Sequence, residues 1–262
     1  MKKPRLAVFK FASCDGCQLQ FLNAEDEILA LGRLVDVVYF PEARGRMLAG
    51  PYDIAFVEGS VATPEDARRV VQVREESRFL VTIGACATAG GIQALRNWDD
   101  LDRYKSAVYP SPEFIAALST STPISEHVRV DYEIWGCPVD KRELLTVVRS
   151  LLSGAPPTLP SYSVCMECKR RGNVCVVVAK GEPCLGPVTR TGCGALCPAM
   201  NRGCYGCFGP ADDQNMRSFA RLLTSQGLSP EESIRRLRGI NGYVRPWREA
   251  VDAINGKKNQ DD

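Results

Sequence analysis

The chain has one histidine, His127, three tryptophans and five methionines among its 262 residues. A metal site built mainly on imidazole is thereby excluded, and Trp98, Trp135 and Trp247 are too scattered to form a stacking platform for single-stranded nucleic acid. Neither sign of charge is in excess, because 33 Lys and Arg face 31 Asp and Glu, and a formal +2 points to no polyanionic partner. No apolar run approaches the ~20 residues needed to span a bilayer. The opening stretch, Met1-Lys2-Lys3-Pro4-Arg5-Leu6-Ala7-Val8-Phe9-Lys10, has too short an apolar segment for a signal peptide. Gly90-Gly91 belongs to no strand-linked Gly-x-Gly-x-x-Gly or Walker pattern, so no nucleotide site is assigned. These absences predict a soluble, unprocessed cytoplasmic protein that meets neither membrane nor nucleic acid. With 45% hydrophobic residues it has ample material for a core, which excludes disorder.

Cysteine is what the chain has in quantity, with twelve residues. A reducing cytosol disfavours structural disulfides, so metal or redox chemistry is the default, and with one histidine any dense site must be almost wholly thiolate.

Residues 1–155 alternate β-branched runs with helical patterns, as a doubly wound parallel α/β sheet does. Strands are expected at Leu6–Phe11, Val35–Phe40, Ile54–Val57, Phe79–Ile83 and Val130–Trp135. Helices are expected at Leu19–Leu31, Pro64–Ser77, Pro112–Leu118 and Lys141–Leu152, with Thr63-Pro64 and Ser111-Pro112 as starts. The proline-rich stretch 153–161 reads as a linker. Residues 156–210 then form a small irregular domain with eight cysteines, too poor in apolar periodicity to build an ordinary core, so an inorganic staple is expected. A helical tail follows over 211–262, with a start at Ser229-Pro230, a stop at Asn255-Gly256 and fraying from Lys257 to Asp262.

In the first domain Cys14 and Cys17 follow the first strand, Cys86 the fourth and Cys137 the fifth. The carboxyl ends of parallel strands share one edge, where such folds place ligands, so these four thiols can converge. The other eight are Cys165, Cys168, Cys175, Cys184, Cys193, Cys197, Cys204 and Cys207. Twelve make three fours with none left over, the arithmetic of three [4Fe–4S] clusters. Tetrathiolate zinc also uses Cys-x-x-Cys pairs and stays open for the second domain. A four-iron core of about +2 against four thiolates leaves each site at about −2, and Lys169, Arg170, Arg171, Arg190 and Arg202 could offset that or form a solvated basic face.

The ordered set Ser13-Cys14-Asp15-Gly16-Cys17-Gln18-Leu19-Gln20, Glu58-Gly59-Ser60-Val61, Gly84-Ala85-Cys86-Ala87, Gly136-Cys137-Pro138 and Gly181-Glu182-Pro183-Cys184-Leu185-Gly186-Pro187-Val188-Thr189-Arg190 resembles the small subunit of [NiFe] hydrogenases. It is most similar to the delta subunit of the cytosolic NAD(P)-linked hydrogenases, or sulfhydrogenases. The resemblance implies a flavodoxin-like first domain whose Cys14, Cys17, Cys86 and Cys137 hold a proximal cluster beside the Ni–Fe centre of a large subunit. It further implies a distal cluster on Cys165, Cys168, Cys175 and Cys184 and a medial one on Cys193, Cys197, Cys204 and Cys207. This chain would relay electrons toward iron–sulfur and flavin subunits that handle NAD(P), within a hydrogenase complex, and would carry no catalytic residue itself.

Several positions depart from the periplasmic members of that family. Cys165 stands where they begin the distal site with histidine, and Cys197 supplies a medial ligand they lack, which implies a four-iron medial cluster. Their twin-arginine signal is missing, and Ser13 replaces a glutamate that precedes their first proximal cysteine. Two rivals remain: the cluster subunit of a respiratory NADH:quinone oxidoreductase, whose relatives carry adjacent cysteines in place of Cys14-Asp15-Gly16-Cys17, and a zinc-binding interaction module. Outside the cysteines, Glu58 is expected to end a strand on the thiol edge, facing a partner or proton relay or simply closing a turn with Gly59. His127 is expected at the surface or in a cap, and Arg235, Arg236 and Arg238 on an exposed helix face.

Overall fold

In the computed structural model, which describes residues 3–256, the chain divides into two compact units, Met1–Thr158 and Leu159–Asp262. The fraying expected over Lys257–Asp262 lies outside the described residues.

The first unit follows from its apolar runs. Strands β1 (Arg5–Lys10), β2 (Asp36–Tyr39), β3 (Tyr52–Glu58), β4 (Ser77–Ile83) and β5 (Tyr132–Ile134) form one parallel sheet in the order β2-β1-β3-β4-β5. Continuous burial through Leu6–Phe9 and Ile54–Glu58 is what a sheet covered on both faces requires. β1 pairs with β3 from Leu6 opposite Ile54 to Lys10 opposite Glu58, and β3 pairs with β4 out to Glu58 opposite Ile83. This is the flavodoxin-like order, with its switch point between β1 and β3.

The helices are α1 (Gly16–Leu22), α2 (Glu25–Leu34), α3 (Pro64–Glu75), α4 (Gly84–Ala89), α5 (Leu101–Val108) and α6 (Lys141–Leu152). Thr63 and Asp66 form a reciprocal capping box on α3, with Pro64 at its first position. α6 matches its expected span and buries Leu144, Val147, Val148 and Leu151, an i, i+3, i+4, i+7 stripe. Each of those side chains contributes about 1.5–3 kcal/mol by leaving water.

Two helix expectations need correction. The single helix over Leu19–Leu31 is two helices, because the chain breaks at Asn23-Ala24 and Glu25 adopts a positive φ of 29°. Asparagine's short amide competes for backbone groups and favours such an end. Pro112–Leu118 is only a 3-10 turn over Pro112–Phe114; Ser111 supplies no side-chain cap, nothing in the turn is buried and Phe114 is 81% exposed, so no apolar face holds a helix there.

The second unit carries α7 (Val164–Arg170), α8 (Val176–Lys180), α9 (Leu196–Ala199), α10 (Met216–Ser225), α11 (Pro230–Leu237) and α12 (Arg245–Ile254). Ser229 and Glu232 close the expected capping box on α11. Three cysteine-flanking strips are tied by backbone bonds: Val164 N–H donates to Thr189 O at 2.9 Å, Arg190 N–H to Gly209 O at 2.9 Å and Ala211 N–H to Val188 O at 3.0 Å. Among the described residues, no helix is long and apolar enough to cross a membrane.

A candidate iron–sulfur site in each unit

All twelve cysteines are free thiols. In the first unit the loop after β1 presents Cys14, the first turn of α1 presents Cys17, α4 starts directly from β4 and carries Cys86, and Cys137 follows β5. Their grouping is visible in their electrostatics. Burial pushes the Cys86 thiol up to about 12, with Cys137 and Cys14 as neighbours adding to the rise. Cys17 is raised further by burial, with Glu58, Cys86 and Cys137 acting in the same direction, and Cys137 is raised by burial and by Cys14 and Glu58. Cys86 and Cys137 act on Cys17, and Cys14 acts on Cys86 and Cys137, so the charges of these four thiols are coupled.

Two glycines leave room for them. At Gly84 (φ +85°) a Cβ would collide with Cys17 Sγ, and at Gly91 (φ +61°) it would lie 2.7 Å from Cys86 Sγ and 2.8 Å from Cys86 Cα. Gly91 therefore leaves room for a thiol, while a Cβ on Gly90 would meet Ala94 and the Ser121 carbonyl. The Val139 backbone amide opposes the rise at Cys17 and the Gln93 side chain opposes it at Cys86.

Glu58 is the residue whose role the sequence leaves open. It is 1% exposed, accepts the Cys17 N–H at 3.0 Å through Oε1 and the Gln18 Nε2 amide at 2.6 Å through Oε2. Its burial removes it from any partner surface. Desolvation raises its pKa, and the Gln18 and Cys17 hydrogen bonds oppose that rise. Because Gln18 Oε1 lacks a partner, Glu58→Gln can be accommodated by a flip of the Gln18 amide, whereas Glu58→Ala strands both donors. Glu58→Ala is expected to destabilise the first unit by about 2 kcal/mol more than Glu58→Gln, read from denaturation midpoints; equal midpoints would remove the anchoring role.

In the second unit Cys165 and Cys168 lie one turn apart on α7, Cys175 caps α8 and Cys184 is buried before the 3-10 turn Gly186–Val188. Burial pushes Cys165 up to about 11, with Cys184, Cys168 and Cys175 adding to it. Cys193 is raised by burial, an effect that the Leu196 and Ala195 backbone amides oppose and Cys197 reinforces; Cys204 is raised by burial, with Cys184 and Cys207 acting in the same direction. Amides aim at sulfur here as well. Cys204 N–H donates to Cys184 Sγ at 3.1 Å, Gly186 N–H to Cys184 Sγ at 3.4 Å and Gly206 N–H to Cys204 Sγ at 3.4 Å.

The donor chemistry fits a cationic inorganic core. Buried thiols with raised pKa values repel one another once ionised, and N–H groups directed at sulfur stabilise the anionic form. A core bearing positive charge resolves both demands. Among the described residues, no three Cys, His, Asp or Glu side chains gather as ligands of a single ion. A four-iron cube takes each thiolate on a separate iron, so its ligands stand farther apart than those of one ion.

The basic residues divide. Arg190 pairs with Asp212, Arg170 lies over the Tyr162 ring with its guanidinium carbon 4.9 Å from the centroid, and Arg171 donates to Gly194 O. Lys169 and Arg202 are exposed. His127 follows the 3-10 turn Ile124–Glu126, with Nε2 at 2.7 Å from Thr122 Oγ1. On α11, Arg235 is exposed and Arg236 is half-buried, its guanidinium 3.5 Å from Pro183 O.

Comparison with known proteins places this arrangement. Residues 14–151 match the family described as NADH ubiquinone oxidoreductase, 20 Kd subunit. The sulfhydrogenase 2 subunit delta of Pyrococcus furiosus is 36% identical over 234 residues, covering 89% of this chain and 98% of the relative. The iron-sulfur subunit of the F420-non-reducing hydrogenase of Archaeoglobus profundus is 26% identical over 282 residues, covering 83% and 87%. Among solved structures, an NAD+-reducing [NiFe]-hydrogenase in the H2-reduced state contains a chain 32% identical to this one, with a TM-score of 0.56, covering 61% of this chain and 96% of that one. The family match spans the quinone-oxidoreductase rival as well, but a relative covered over 98% of its length, second unit included, decides between them. The chain belongs to the NADH ubiquinone oxidoreductase 20 Kd subunit family and, within it, to the small (delta) subunits of [NiFe] hydrogenases.

Proposed function

We propose that this chain is the electron-relay subunit of a cytoplasmic [NiFe] hydrogenase and holds three [4Fe–4S] clusters. Cys14, Cys17, Cys86 and Cys137 hold the proximal cluster, Cys193, Cys197, Cys204 and Cys207 the medial one, and Cys165, Cys168, Cys175 and Cys184 the distal one. Hydrogen is split or formed on a separate large subunit, and the far end of the relay meets iron–sulfur and flavin subunits that handle NAD(P). The observation that supports the reading is the close approach of Gly84 to Cys17 Sγ and of Gly91 to Cys86 Sγ, with the charges of Cys14, Cys17, Cys86 and Cys137 coupled.

When bound, such clusters supply one-electron storage at a potential the protein sets. The chain's own residues do the rest. Cys17, Cys184 and Cys204 are buried and so keep water from sulfur, which favours the less charged, oxidised state. Amide bonds onto Cys184 and Cys204 act the other way, stabilising added negative charge. Glu58 fixes the start of α1, and with it Cys17, through the backbone N–H.

Anaerobic purification of the intact complex tests the assignment. About twelve iron and twelve sulfide per chain, with nickel on the partner, is the expected result; zinc without sulfide overturns it in favour of the interaction module. Chelating the iron from the isolated complex is expected to unfold the second unit first, detected as rapid proteolysis within 165–210, because that segment has little apolar core of its own. Protease resistance unchanged by iron removal would show that the metal does not hold the fold.

A further inference from the structure

Two glutamine amides reach the thiol edge of the first unit, and they are used differently. Gln18 Nε2 donates to Glu58 Oε2 at 2.6 Å and to Asp15 Oδ1 at 3.4 Å, so it serves carboxylates. Gln93 stands in the 3-10 helix Ile92–Trp98 that follows α4, and its Nε2 donates at 3.1 Å to the carbonyl of Ala12, two residues before Cys14. One amide thereby ties the loop that carries Cys14 to the segment that carries Cys86. Fastening is not its whole use, because backbone bonds already hold that loop: Ala12 N–H donates to Ser60 O at 3.2 Å and Ser60 N–H to Ala12 O at 3.0 Å.

The rest of the Gln93 amide faces sulfur. Cys86 Sγ and Gln93 Oε1 lie 2.7 and 2.9 Å from one point, the place that a Cβ on Gly91 would take, so thiol and amide adjoin across a space that glycine leaves open. Oε1 is buried without a hydrogen-bond partner, which costs about 1–3 kcal/mol. A flip of the amide relieves nothing, since it sets Oε1 against the Ala12 carbonyl, acceptor against acceptor. A methionine of the same length would fill the space with no orphaned acceptor. What the amide has and methionine lacks is two protons on one nitrogen; the Ala12 bond uses one, and the thiol adjoins the other. Gln93 also opposes the rise that burial causes at Cys86, which is the sign of a donor to thiolate.

We infer that Gln93 donates its second amide proton to Cys86 Sγ and thereby sets the reduction potential of the cluster on Cys14, Cys17, Cys86 and Cys137. This rests on the relay reading above, in which those four cysteines hold a [4Fe–4S] cluster. Reduction adds one electron, and part of the added charge falls on the ligating sulfurs. A donor aimed at one of them stabilises the reduced state and raises the potential.

The test uses the intact complex, titrated anaerobically with dithionite and followed by electron paramagnetic resonance. Gln93→Met keeps the length of the side chain and removes both protons. With iron content unchanged, it is expected to shift the reduction equilibrium of one cluster about tenfold toward the oxidised state, about 59 mV for one electron, and to leave the clusters of the second unit where they are. Gln72→Met, the same exchange at an exposed position of α3, should move none of them. A tie to Ala12 alone would lower the unfolding midpoint of Gln93→Met and leave the potential in place. With nitrogen-15 confined to glutamine side-chain amides, the reduced wild type is expected to show a 15N coupling to that cluster, lost in Gln93→Met; where the variant does not assemble, the wild-type spectrum decides. An unchanged or raised potential, an equal shift from Gln72→Met, or a wild-type cluster without the 15N coupling each overturns the role of Gln93. A wild type with about eight irons per chain in place of about twelve fails the relay reading itself.

Discussion

Replacing Gly84 by alanine is expected to cost the complex one cluster, about four of some twelve irons per chain, while the second unit keeps its own. The added Cβ has nowhere to go. It meets Cys17 Sγ, a sulfur fixed by the Glu58 bond to its backbone N–H, and the glycine's φ of +85° adds about 1–3 kcal/mol of strain for any residue with a Cβ. Ala85 N–H is tied to Gly136 O at 2.8 Å, so α4 cannot back away without pulling the Cys137 loop with it. Hydrogen-driven reduction of any acceptor should then be abolished, since on the proposed relay electrons enter through this quartet. Gly32→Ala is the matching control. Nothing lies within 4 Å of its Cβ position inside α2, so it should stabilise the unit by about 0.5–1 kcal/mol. Full iron content and full turnover in Gly84→Ala would show that the proximal quartet is not assembled at this edge.

That contrast shows what a sequence makes legible. The placement of Cys14, Cys17, Cys86 and Cys137 after strands of one parallel sheet can be read because it depends only on strand order and parallel direction, and long apolar runs declare strands. The caps at Thr63 and Ser229 are legible because their chemistry is local to four residues. The grip of Glu58 on Cys17 is not, because it depends on the register that sets Lys10 opposite Glu58 and on α1 starting at Gly16. Helix α4 escapes for a different reason. Its Gly-Ala-Cys-Ala-Thr-Ala sequence is small on every face and almost wholly buried, so it has no amphipathic period to detect. Gly91 carries no local pattern that declares its use, and only the placement of Cys86 Sγ against it reveals what its missing side chain admits.

Trp247→Ala is expected to be the most damaging single change in the second unit, about 3–5 kcal/mol by loss of a large buried ring. The side chain is 0% exposed, its Nε1 donates to Gln214 Oε1 at 2.8 Å, and its ring edge lies 2.5 Å from where a Cβ on Gly206 would stand. Gly206 sits between Cys204 and Cys207, and its carbonyl accepts the Asn241 amide at 2.8 Å. The ring on α12 is therefore the floor under the loop that presents those two thiols, and the helical tail acts as part of the cysteine site's scaffold. For a unit of this size the loss should lower the unfolding midpoint by on the order of 15 °C or more, followed as bleaching of cluster absorbance. Trp247→Phe keeps most of the ring and loses the Gln214 bond, so it should cost only about 1–2 kcal/mol. A midpoint for Trp247→Ala within a few degrees of wild type would mean that the thiol loop is held by its cluster alone and that the tail helices contribute nothing to it.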